Sequence, residues 1–530
     1  MIRNLTASLI LIFAFGAPAT RGQSLTLETE ICVYGGTAGG VAAAVQAARH
    51  GHPTVLLEFG SHLGGMSSGG LGQTDIGNKA AIGGLAREFY LRVGKYYGKA
   101  EAWTFEPHVA ERVFFDLINE AKVPVYFESR LADVLKEGPR IREIRMEDGR
   151  RIRAKIFIDA TYEGDLMARA GVSFTVGREA DSKYNETLNG IRAQTSKHQF
   201  DVVVDPYNTP DDPASGLIPL VQDVPLGTPG AGDSSVQAYN FRLVLTKNPD
   251  NKRPIAAPAN YDPQQFELMA RYLQARAASA KKPSLGELMH IQMMPNGKTD
   301  INNNGAVSTD FIGFDYEYPN ADYATRTRIW REHENYTRGL LYFLATDPRV
   351  PEDIRGEMQS WGLTRDEFID TQGWPHQLYI REARRMVSDY VMTEHNCRDS
   401  MVVPDAIALA AYTMDSHNCR RLVNNGKVEN EGDVQVGGFP PYQIAYRSIV
   451  PSQRECDNLL VPVCLSSTHI AYGSIRMEPV FMVLGHSAAD AASLALEKGT
   501  AVQEVDIAAL QKMLSAEKQV LEWKKITKND

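Results

Sequence analysis

A glycine turn near the N-terminus constrains this chain more than any other feature. The apolar run Ile31–Tyr34 leads into Gly35-Gly36-Thr37-Ala38-Gly39-Gly40, an Ala-rich segment continues to Arg49, and a second β-rich run, Thr54–Leu57, ends at Glu58. This order predicts a strand, a tight turn, a helix and a second strand. Gly35 permits the sharp turn, and the N–H groups at the start of the helix attract a pyrophosphate. Glu58 follows about 20 residues later, where a ribose-binding carboxylate is expected. The pattern predicts a dinucleotide-binding βαβ unit.

Thr37 departs from the G-x-G-x-x-G template. With Gly35 and Gly40 at the first and third glycine positions, Thr37 takes the place of the middle glycine. Its side chain is expected to crowd the pyrophosphate unless the turn is slightly relaxed. Because a glycine pattern can also be a packing turn, the prediction of a nucleotide site rests on strand, helix, second strand and acid together.

The composition excludes several classes of protein. Of the 530 residues, 43% are hydrophobic and 23% are charged, which allows two or three domains and argues against disorder. The net charge of −9 gives no electrostatic reason to expect nucleic acid or an anionic membrane as a partner.

Residues 1–22 resemble a secretory signal peptide. Arg3 precedes an apolar run, Leu5–Phe15, that is too short to span a bilayer, and Ala17-Pro18-Ala19 offers small residues for cleavage. A buried N-terminal helix is the alternative. The signal peptide predicts an exported protein, periplasmic or extracellular, with no integral membrane span after its removal.

The five cysteines do not form a recognisable framework. Cys32 falls in the first strand and is expected to be a small core residue. In an oxidising compartment Cys397 could pair with Cys419, or Cys456 with Cys464, but connectivity cannot be read from a sequence. No C-x-x-C spacing of the kind that iron–sulfur clusters and structural zinc sites use is present. No metal site is therefore expected.

The segment Gly60–Gly72 is too rich in glycine to hold a regular element, and we expect its backbone to approach the flat face of a cofactor. A flexible loop is the alternative. Patterning further along the chain predicts other elements. Helices are predicted over Gly84–Tyr97 and from Pro107, and strands over Val123–Phe127, Leu131–Val134, Ile141–Met146, Arg151–Ile158 and Asn458–Val463.

The character of the chain changes near Gly177, after which Pro, Gly, Asn and Asp separate short elements. This change predicts a second region. Strands are predicted at Val202–Val204 and Tyr239–Leu245, helices at Gln264–Ala278 and Ala324–Ala345, and a polar loop, lining a site or the surface, at Pro295–Gly305. A last helix, around Ile507–Leu521, is predicted to pack only.

Several motifs together resemble the FAD-dependent oxidoreductase family, whose members are mostly exported or envelope bacterial flavoproteins of the two-dinucleotide-binding-domain superfamily. They are Tyr34-Gly35-Gly36-Thr37, Leu63-Gly64-Gly65-Met66, Phe105-Glu106-Pro107-His108, Asp159-Ala160-Thr161-Tyr162-Glu163-Gly164-Asp165, Pro295-Asn296-Gly297-Lys298 and Arg476-Met477-Glu478-Pro479. The resemblance implies FAD and an α/β fold, in which a discontinuous Rossmann-like FAD-binding domain carries an inserted α+β substrate domain. The expected boundaries are 28–180 and 451–500 for the FAD-binding domain, 181–450 for the substrate domain and 501–530 for the C-terminal helix.

The resemblance also implies a role for each matching residue. Gly35, Gly36, Thr37 and Gly40 would bind the pyrophosphate, Glu58 the adenosine ribose, Gly64, Gly65 and Met66 the ribityl chain and ring, and Ala160 and Asp165 would lie along the cofactor. A helix starting near Gly485 would direct its dipole at the flavin pyrimidine. His486 departs from the smaller residues expected there, so it would tune the flavin charge or cap the helix. The flavin subunits of heterodisulfide reductases are a more distant resemblance, and they imply the flavin without their clusters, since the cysteine pattern is missing.

Polar clusters later in the chain offer catalytic groups. Arg381, Arg384 and Arg385 follow Tyr379, and helical spacing would place Arg381 and Arg385 on one face with Leu378. One or two of them would bind a carboxylate or a hydroxyl-rich ligand; ion pairs with Glu382 or Asp389 are the alternative.

The proton acceptor is expected to be a histidine, because imidazole titrates near neutrality. The three candidates are His376, His417 and His469, and each is otherwise structural. His417 is preferred because Asp415 lies nearby, and Tyr379 is a second-line proton donor.

Three functions follow from these residues. The first is hydride transfer between FAD and a polar small-molecule or oligosaccharide substrate, favouring a carbohydrate secondary alcohol, with an electron acceptor that the sequence does not identify. The second is a redox-neutral oxidation and elimination in polysaccharide breakdown. The third is a glycan-binding protein with structural FAD.

Overall fold

The computed structural model describes residues 25–193, 195, 197–279 and 281–523, so the predicted signal peptide lies outside the described residues. In this part of the chain the helices are α1 (Ala38–Arg49), α2 (Gly84–Tyr96), α3 (Pro107–Ala121), α4 (Asp165–Arg169), α5 (Asp181–Tyr184), α6 (Glu267–Ala278), α7 (Tyr323–Thr346), α8 (Glu352–Ser360), α9 (Glu394–Cys397), α10 (His469–Ile475), α11 (Glu478–Lys498) and α12 (Ile507–Ala516).

The strands are β1 (Thr26–Glu28), β2 (Ile31–Tyr34), β3 (Thr54–Leu57), β4 (Val125–Tyr126), β5 (Leu131–Glu137), β6 (Arg140–Met146), β7 (Arg151–Arg153), β8 (Ile156–Asp159), β9 (Phe174–Thr175), β10 (Leu245–Thr246), β11 (Lys252–Arg253), β12 (Met289–Met294), β13 (Lys298–Asn303), β14 (Gly362–Thr364), β15 (Arg385–Met386), β16 (Ala406–Ala410), β17 (Met414–Ser416), β18 (Arg420–Asn424), β19 (Lys427–Glu431), β20 (Val434–Val436), β21 (Tyr442–Ala445) and β22 (Leu459–Leu460).

A five-stranded parallel sheet organises the first region. Its order is β22-β8-β2-β3-β4, and β2 lies between β3 and β8, with Cys32 opposite both Val55 and Phe157. Every residue of β2, β3 and β8 is buried, as parallel strands covered on both faces require. The predicted α/β class with a Rossmann-like sheet is confirmed. The edge strand β22 comes from a segment far along the chain.

Helix α11 packs along α1 in the core. The two helices approach so closely that a Cβ at residue 485 would collide with the carbonyl group of Gly39. Helix α11 begins at Glu478, after its cap Met477, so the predicted helix start near Gly485 is wrong by about two turns. By length and apolarity α11 could also cross a membrane, but 89% of its apolar window is buried inside the protein, as in a core helix.

A smaller sheet of order β1-β7-β6-β5 contains the predicted meander. Strands β5, β6 and β7 are antiparallel, and β1 joins β7 in parallel. The predicted strand Arg151–Ile158 is in fact two strands, because β7 belongs to this sheet and β8 to the parallel one. The pattern changes accordingly, from partly exposed β7 residues to the fully buried run of β8.

The second region holds an antiparallel sheet of order β11-β14-β10-β13-β12. Its helices α6 and α7 confirm the predictions at Gln264–Ala278 and Ala324–Ala345. Val202–Val204 is not a strand, and only Leu245 of the predicted strand Tyr239–Leu245 lies in one. Residues 239–244 are buried in irregular backbone, whereas Val203 is 72% exposed, and periodicity alone does not distinguish such apolar runs from strands.

Two polar segments have a different structure from the one predicted. Pro295–Gly305 is not a loop throughout, since β12 and β13 form a hairpin in which Met289 pairs with Asn303 and Met294 with Lys298. Trp374–Met386 is extended and ends in β15, so the helical spacing of its arginines does not apply. Buried ion pairs engage charged side chains of both segments, for example Lys298 with Glu367 and Arg385 with Glu179, so these segments can lie inside the protein.

All five cysteines are buried free thiols. The two disulfide pairings considered from the sequence are therefore not formed. Cys32 is a core residue of β2, and burial alone raises the pKa of its thiol well above its ordinary value.

Candidate active site

The turn between β2 and α1 forms one end of the site. Gly35 has φ +105°, a conformation that only glycine adopts readily, and a Cβ there would lie 2.7 Å from both the Ala160 carbonyl carbon and the Thr161 nitrogen. The next residue, Gly36, donates its N–H to Glu58 Oε2 at 2.6 Å. The turn is thus fixed between β8 and the end of β3.

Thr37 does not obstruct this turn. Its hydroxyl donates to the Ala160 carbonyl at 2.7 Å and accepts from the Gly40 N–H at 3.2 Å, so the side chain caps α1. A threonine is a good N-cap, and its φ of −62° needs no glycine. The crowding expected from the sequence is relieved because the hydroxyl is used within the turn itself.

Glu58 lies at the end of β3 as predicted. Its second carboxylate oxygen accepts the Gly60 N–H at 2.6 Å, and burial raises the pKa of the carboxyl to about 7. The two backbone N–H groups oppose this shift but do not cancel it. A carboxyl held in this way can accept hydrogen bonds from the hydroxyl groups of a ribose.

A cavity of about 930 Å³ opens from the turn. Gly35, Thr37, Glu58, Gly65 and Tyr162 line one wall, and the opposite wall includes Trp330, Trp374, His376 and Gln377. Its volume is at the upper end of the range for ligand sites, and the N-terminus of α1 borders it with unpaired N–H groups. The glycine turn, the helix N-terminus and the buried carboxyl therefore fit a dinucleotide.

The glycine-rich loop forms the next wall. The Gly64 N–H donates to the Gly36 carbonyl at 2.7 Å, and the Met66 N–H donates to the Tyr162 hydroxyl at 2.9 Å. Tyr162 donates in turn to Glu478 Oε1 at 2.6 Å, and burial raises the pKa of Glu478 to about 7. The loop is thereby held between the turn and the N-terminus of α11. Of the predicted loop residues Gly65 lines the cavity, while Met66 is buried in the protein.

Four predicted cofactor residues have other positions. Gly485 lies in the interior of α11 and packs on α1, and the His486 Nε2 contacts Glu517 at 2.6 Å on the far side of the helix start. Ala160 acts through its backbone, as the acceptor for Thr37. Asp165 pairs with Arg326 at 2.6 Å and Arg384 at 2.8 Å, in two smaller cavities beside the main one. Gly485, His486 and Asp165 thus make these contacts within the protein, and their roles at the cofactor stay predictions.

Behind the loop lies a buried arrangement of charges around Tyr379. The guanidinium carbons of Arg242, Arg381 and Arg476 lie 5.9, 4.8 and 5.8 Å from its ring centre. Each arginine has an aspartate partner. The three arginines, their aspartates, Tyr379 and His417 together are called here the charged cluster. Its members are Arg242, Asp300, Asp310, Tyr379, Arg381, Asp415, His417 and Arg476.

The pairings within the charged cluster are short. Arg242 binds Asp300 through two hydrogen bonds of 2.7 and 2.8 Å. Arg476 donates to Asp415 at 3.0 Å and to the Tyr379 hydroxyl at 2.9 Å. The arginines and aspartates of these pairs are buried and Tyr379 is partly buried, so the pairs fix the side-chain orientations.

His417 lies between two carboxylates of the charged cluster. Its Nδ1 is 2.8 Å from Asp310 and its Nε2 is 3.5 Å from Asp415. Burial and Arg381 lower the pKa of His417, but the two carboxylates outweigh them and raise it above its ordinary value. Burial raises the pKa of Asp415, and the charges of His417 and Arg476 overcome this and lower it to about 2. The two carboxylates therefore favour the protonated form of His417.

The three predicted arginines are separated by their extended backbone. Arg381 pairs with Asp310 at 3.0 Å inside the charged cluster, Arg384 with Asp165, and Arg385 with Glu179 at 2.6 Å and with Glu382. Arg381 is thus part of the site, whereas Arg384 and Arg385 join distant segments of the core. The ion-pair alternative is correct for Arg385 and Glu382.

The other two candidate histidines differ from His417. His376 lines the cavity and stacks on His62 with ring centres 3.7 Å apart, and burial lowers its pKa to about 3. His469 contacts Glu382 at 2.7 Å and Ser416 at 2.9 Å, and burial lowers its pKa to about 3 as well. Neither one is flanked by two carboxylates.

Contacts with the loop place the charged cluster beside the cavity. The Gln73 N–H donates to Asp300 at 3.1 Å, and a Cβ at Gly70 would collide with the Arg242 carbonyl. The sequence reasoning missed Arg242, Asp300 and Asp310 as site residues. Asp300 fell in a polar segment that had been noted, but nothing in the local sequence marks Asp310 or Arg242.

A family model described as FAD dependent oxidoreductase matches residues 30–514 of the chain. The chain belongs to this family. Members of this family depend on FAD, and FAD is the cofactor that the cavity fits. Gly35, Gly36 and the start of α1 would hold the pyrophosphate, Glu58 the ribose, and Gly65 the region towards the flavin. The more distant similarity to heterodisulfide reductase subunits stays a prediction.

Solved flavoprotein structures share parts of this oxidoreductase. They include a 3-ketosteroid-Δ4-(5α)-dehydrogenase from Rhodococcus jostii RHA1 (14% identity, 28% of this chain and 50% of that one, TM-score 0.20). A flavoprotein/dehydrogenase from Cytophaga hutchinsonii (16%, 30% and 47%, 0.22) and a flavin monooxygenase mutant from Stenotrophomonas maltophilia (17%, 29% and 42%, 0.21) are similar to the same degree. The chain spans half or less of the length of these three structures. No curated protein matches the chain.

Proposed function

We propose that this enzyme is exported and transfers a hydride between FAD and a secondary alcohol of a carbohydrate-like substrate, in the periplasm or outside the cell. The observation that carries the proposal is the position of His417. It lies between Asp310 and Asp415 in a buried polar site directly behind the glycine-rich loop. Such an arrangement can move a proton while a C–H bond is made or broken at the flavin.

Unused hydrogen-bonding atoms favour a hydroxyl-rich substrate. In the charged cluster the buried Nε atoms of Arg381 and Arg476 have no hydrogen-bond partner, and neither does Oδ1 of the adjacent Asn240. Buried polar groups are rarely left unpaired unless a ligand or water completes them. Two donors and an acceptor match sugar hydroxyl groups, each of which both donates and accepts.

Each residue of the charged cluster has a distinct part in this proposal. FAD, when bound, supplies the hydride acceptor or donor. His417 exchanges the proton of the substrate hydroxyl, and Asp310 holds its Nδ1. Arg476 and Tyr379, joined at 2.9 Å, stabilise the partial negative charge on the substrate oxygen. Trp330 and Trp374 narrow the cavity on the other side and limit access of water.

The protonation of His417 gives the reaction a pH dependence. The two carboxylates raise the pKa of His417, which favours the protonated ring, the form that can protonate a ketone oxygen. Alcohol oxidation needs the neutral ring, so its rate is expected to increase with pH above the ordinary pKa of histidine. The dependence of kcat/KM on pH, with a bell shape or a plateau, measures the pKa of His417 in the free enzyme.

Localisation and partners belong to the proposal as well. The signal-like residues 1–22 support export, and the net charge of −9 offers no support for a nucleic-acid partner. The proposed partners are a small-molecule or oligosaccharide substrate and a separate electron acceptor.

The test is a substrate screen on the purified protein carrying FAD. We expect anaerobic bleaching of the flavin with one group of sugars, and a ketone as the product. If the product is instead an unsaturated sugar and no external acceptor is reduced, the reaction is the redox-neutral elimination. If no sugar bleaches a flavin that dithionite does reduce, hydride transfer from sugars is excluded and a glycan-binding role replaces it.

A further inference from the structure

A second group of titratable side chains lies where α1, α11 and α12 meet. His50 caps the C-terminus of α1, Asp490 lies on α11, and Glu517 caps the C-terminus of α12. His50 Nε2 is 2.9 Å from Asp490 Oδ1 and 3.3 Å from Glu517 Oε1. One nitrogen and two carboxylates thus converge within the 4.8 Å that separates ligands of a single ion. None of these residues lines the cavity described above.

Direct hydrogen bonds do not satisfy this group. The amide nitrogen of Gln46 lies 2.6 Å from Glu517 Oε2, 2.9 Å from Asp490 Oδ1 and 3.0 Å from His50 Nε2. His50 Nε2 must be an acceptor towards Gln46 but a donor towards the carboxylates, and one nitrogen cannot be both. Asp490 is fully buried, and its Oδ2 has no hydrogen-bond partner, since the His486 Nε2 lies 3.6 Å away, beyond hydrogen-bond distance. This oxygen is a costly group to leave unpaired.

We propose that His50, Asp490 and Glu517 bind a divalent transition-metal ion of the zinc and manganese class. An ion accepts the lone pair of His50 Nε2 and one oxygen from each carboxylate, which removes the conflict between donor and acceptor at His50 Nε2. Turning the Gln46 amide by 180° presents its oxygen to the same ion, since the two orientations have the same shape. One imidazole with two carboxylates is a ligand set that suits both metals.

His486 supports the site without binding the ion. Its Nδ1 accepts the Leu85 N–H at 3.3 Å, which leaves the ring proton on Nε2, facing Glu517 at 2.6 Å. A donor that orients a ligating carboxylate is typical of the residues around metal sites. His50 and Glu517 remain partly exposed, with 21% and 28% of their side chains accessible, so an ion can enter from solvent.

A similar cluster elsewhere in the protein shows what a completed site looks like. Glu106, His108 and Glu367 also converge, but the Lys298 ammonium lies 2.7 Å from Glu106 and 2.6 Å from Glu367. That cluster carries its own cation. The group around Asp490 has no lysine or arginine among the contacts described for it, which is why it is the one assigned to a metal.

The test is metal binding by the full chain carrying FAD. The protein is dialysed against EDTA and then titrated separately with Zn²⁺, Mn²⁺ and Mg²⁺, with metal content and Tm as readouts. We expect one tightly bound Zn²⁺ or Mn²⁺ per chain, a higher Tm in its presence, and at least about tenfold weaker binding in Asp490→Asn and in His50→Gln. X-ray absorption of the zinc form should show nitrogen and oxygen ligands at about 2.0–2.2 Å.

The control is His108→Gln, which alters the lysine-containing cluster and should keep the metal. His50→Gln is the second variant in case Asp490→Asn does not fold, because His50 is partly exposed at a helix end; flavin absorbance and circular dichroism verify folding. The proposal is overturned if the folded parent retains no ion from any titration, or if both ligand variants bind as much metal as the parent does.

Discussion

The dinucleotide turn and the charged cluster are two polar sites built in different ways. The turn uses backbone groups of neighbouring residues: Gly35 and Gly36 beside β2, and the first N–H groups of α1. The charged cluster uses side chains from β13, β17 and irregular segments such as Tyr379 and Arg381, which meet only in the folded protein. Backbone groups are set by local geometry, whereas buried side chains depend on partners far away in sequence. Substitutions in the dinucleotide turn should therefore cause misfolding, whereas substitutions in the charged cluster should cause a loss of activity.

The largest expected effect is in the turn. Gly35→Ala places a Cβ 2.7 Å from the backbone of Ala160 and Thr161 at φ +105°, and we expect it to lower the free energy of unfolding by about 4 kcal/mol or more. Urea unfolding and the flavin content of the purified protein measure it. The matched control is Gly51→Ala, where φ is +84° but nothing lies within 4 Å; it should cost about 1 kcal/mol and keep FAD. Equal effects in both variants would show that collision with β8 is unimportant.

The charged cluster should respond in the opposite way. His417→Gln removes the group that exchanges the proton of the substrate hydroxyl but keeps the size and polarity of the side chain, so we expect kcat to fall by about 100- to 10,000-fold with flavin content unchanged. Stopped-flow flavin reduction with a substrate from the screen measures it. His198→Gln is the control, since its ring lies beside that of His417, 6.4 Å away between centres, without an ion pair to a carboxylate. A similar loss in both variants would contradict the role of His417.

Glu478, at the N-terminus of α11, accepts the Tyr162 hydroxyl and should show a pH effect on stability. Its pKa is about 7 in the folded protein and 4.5 when unfolded, so between these values the folded state binds more protons and rising pH favours unfolding. Glu478→Gln removes this dependence. The stability of the variant relative to the parent should therefore increase from pH 4.5 to 7, by up to about 3 kcal/mol. Chemical unfolding at several pH values measures the difference.

The control for this effect is Glu497→Gln, in the last turn of the same helix. Glu497 is exposed, so its substitution tests whether removal of any carboxylate from this helix changes the pH profile of stability. If the difference in stability between Glu478→Gln and the parent does not change with pH, Glu478 is already ionised in the folded protein, and the bond from Tyr162 outweighs burial.

The smallest expected effect is at Thr37. Thr37→Val keeps the shape but removes both hydrogen bonds of the hydroxyl, and we expect a loss of about 1–2 kcal/mol with FAD still bound. Thermal unfolding measures it, and Thr37→Ser, which retains the hydroxyl, should lie close to the parent. If Thr37→Val instead loses FAD at unchanged stability, the hydroxyl binds the cofactor directly and does not cap α1.

The same contrast explains what the sequence could predict. Strand, turn and helix at Ile31–Arg49 follow from neighbouring residues, and so does Glu58, because all their constraints are local. Asp310 could not be recognised, since its importance comes from Arg381 and His417, which lie far along the chain. The motif from Asp159 to Asp165 shows how far a local pattern can predict a site. The first residues of the motif position the glycine turn, as the pattern predicts. Asp165, at its end, is bound by Arg326, and no local pattern reveals that Arg326 is close.

Periodicity misled the predictions where burial is complete. The small residues around Gly485 were interpreted as a helix start, but they reflect the close contact of α11 with α1. The arginines after Tyr379 were spaced as on a helix, yet three different carboxylates hold them in extended backbone. In both segments tertiary partners outweighed local propensity.

The packing of α1 against α11 also has a consequence for biosynthesis. Gln46 and Asp490 are hydrogen-bonded although 444 positions separate them, so the apolar face of α1 emerges from the ribosome long before its cover. At about 5–20 residues per second, this interval lasts roughly 20 to 90 seconds. During that time the nascent chain presents an uncovered Ala- and Val-rich helix to chaperones and to other chains. Yield in a cell should thus depend on chaperone supply more than on the strength of any single contact.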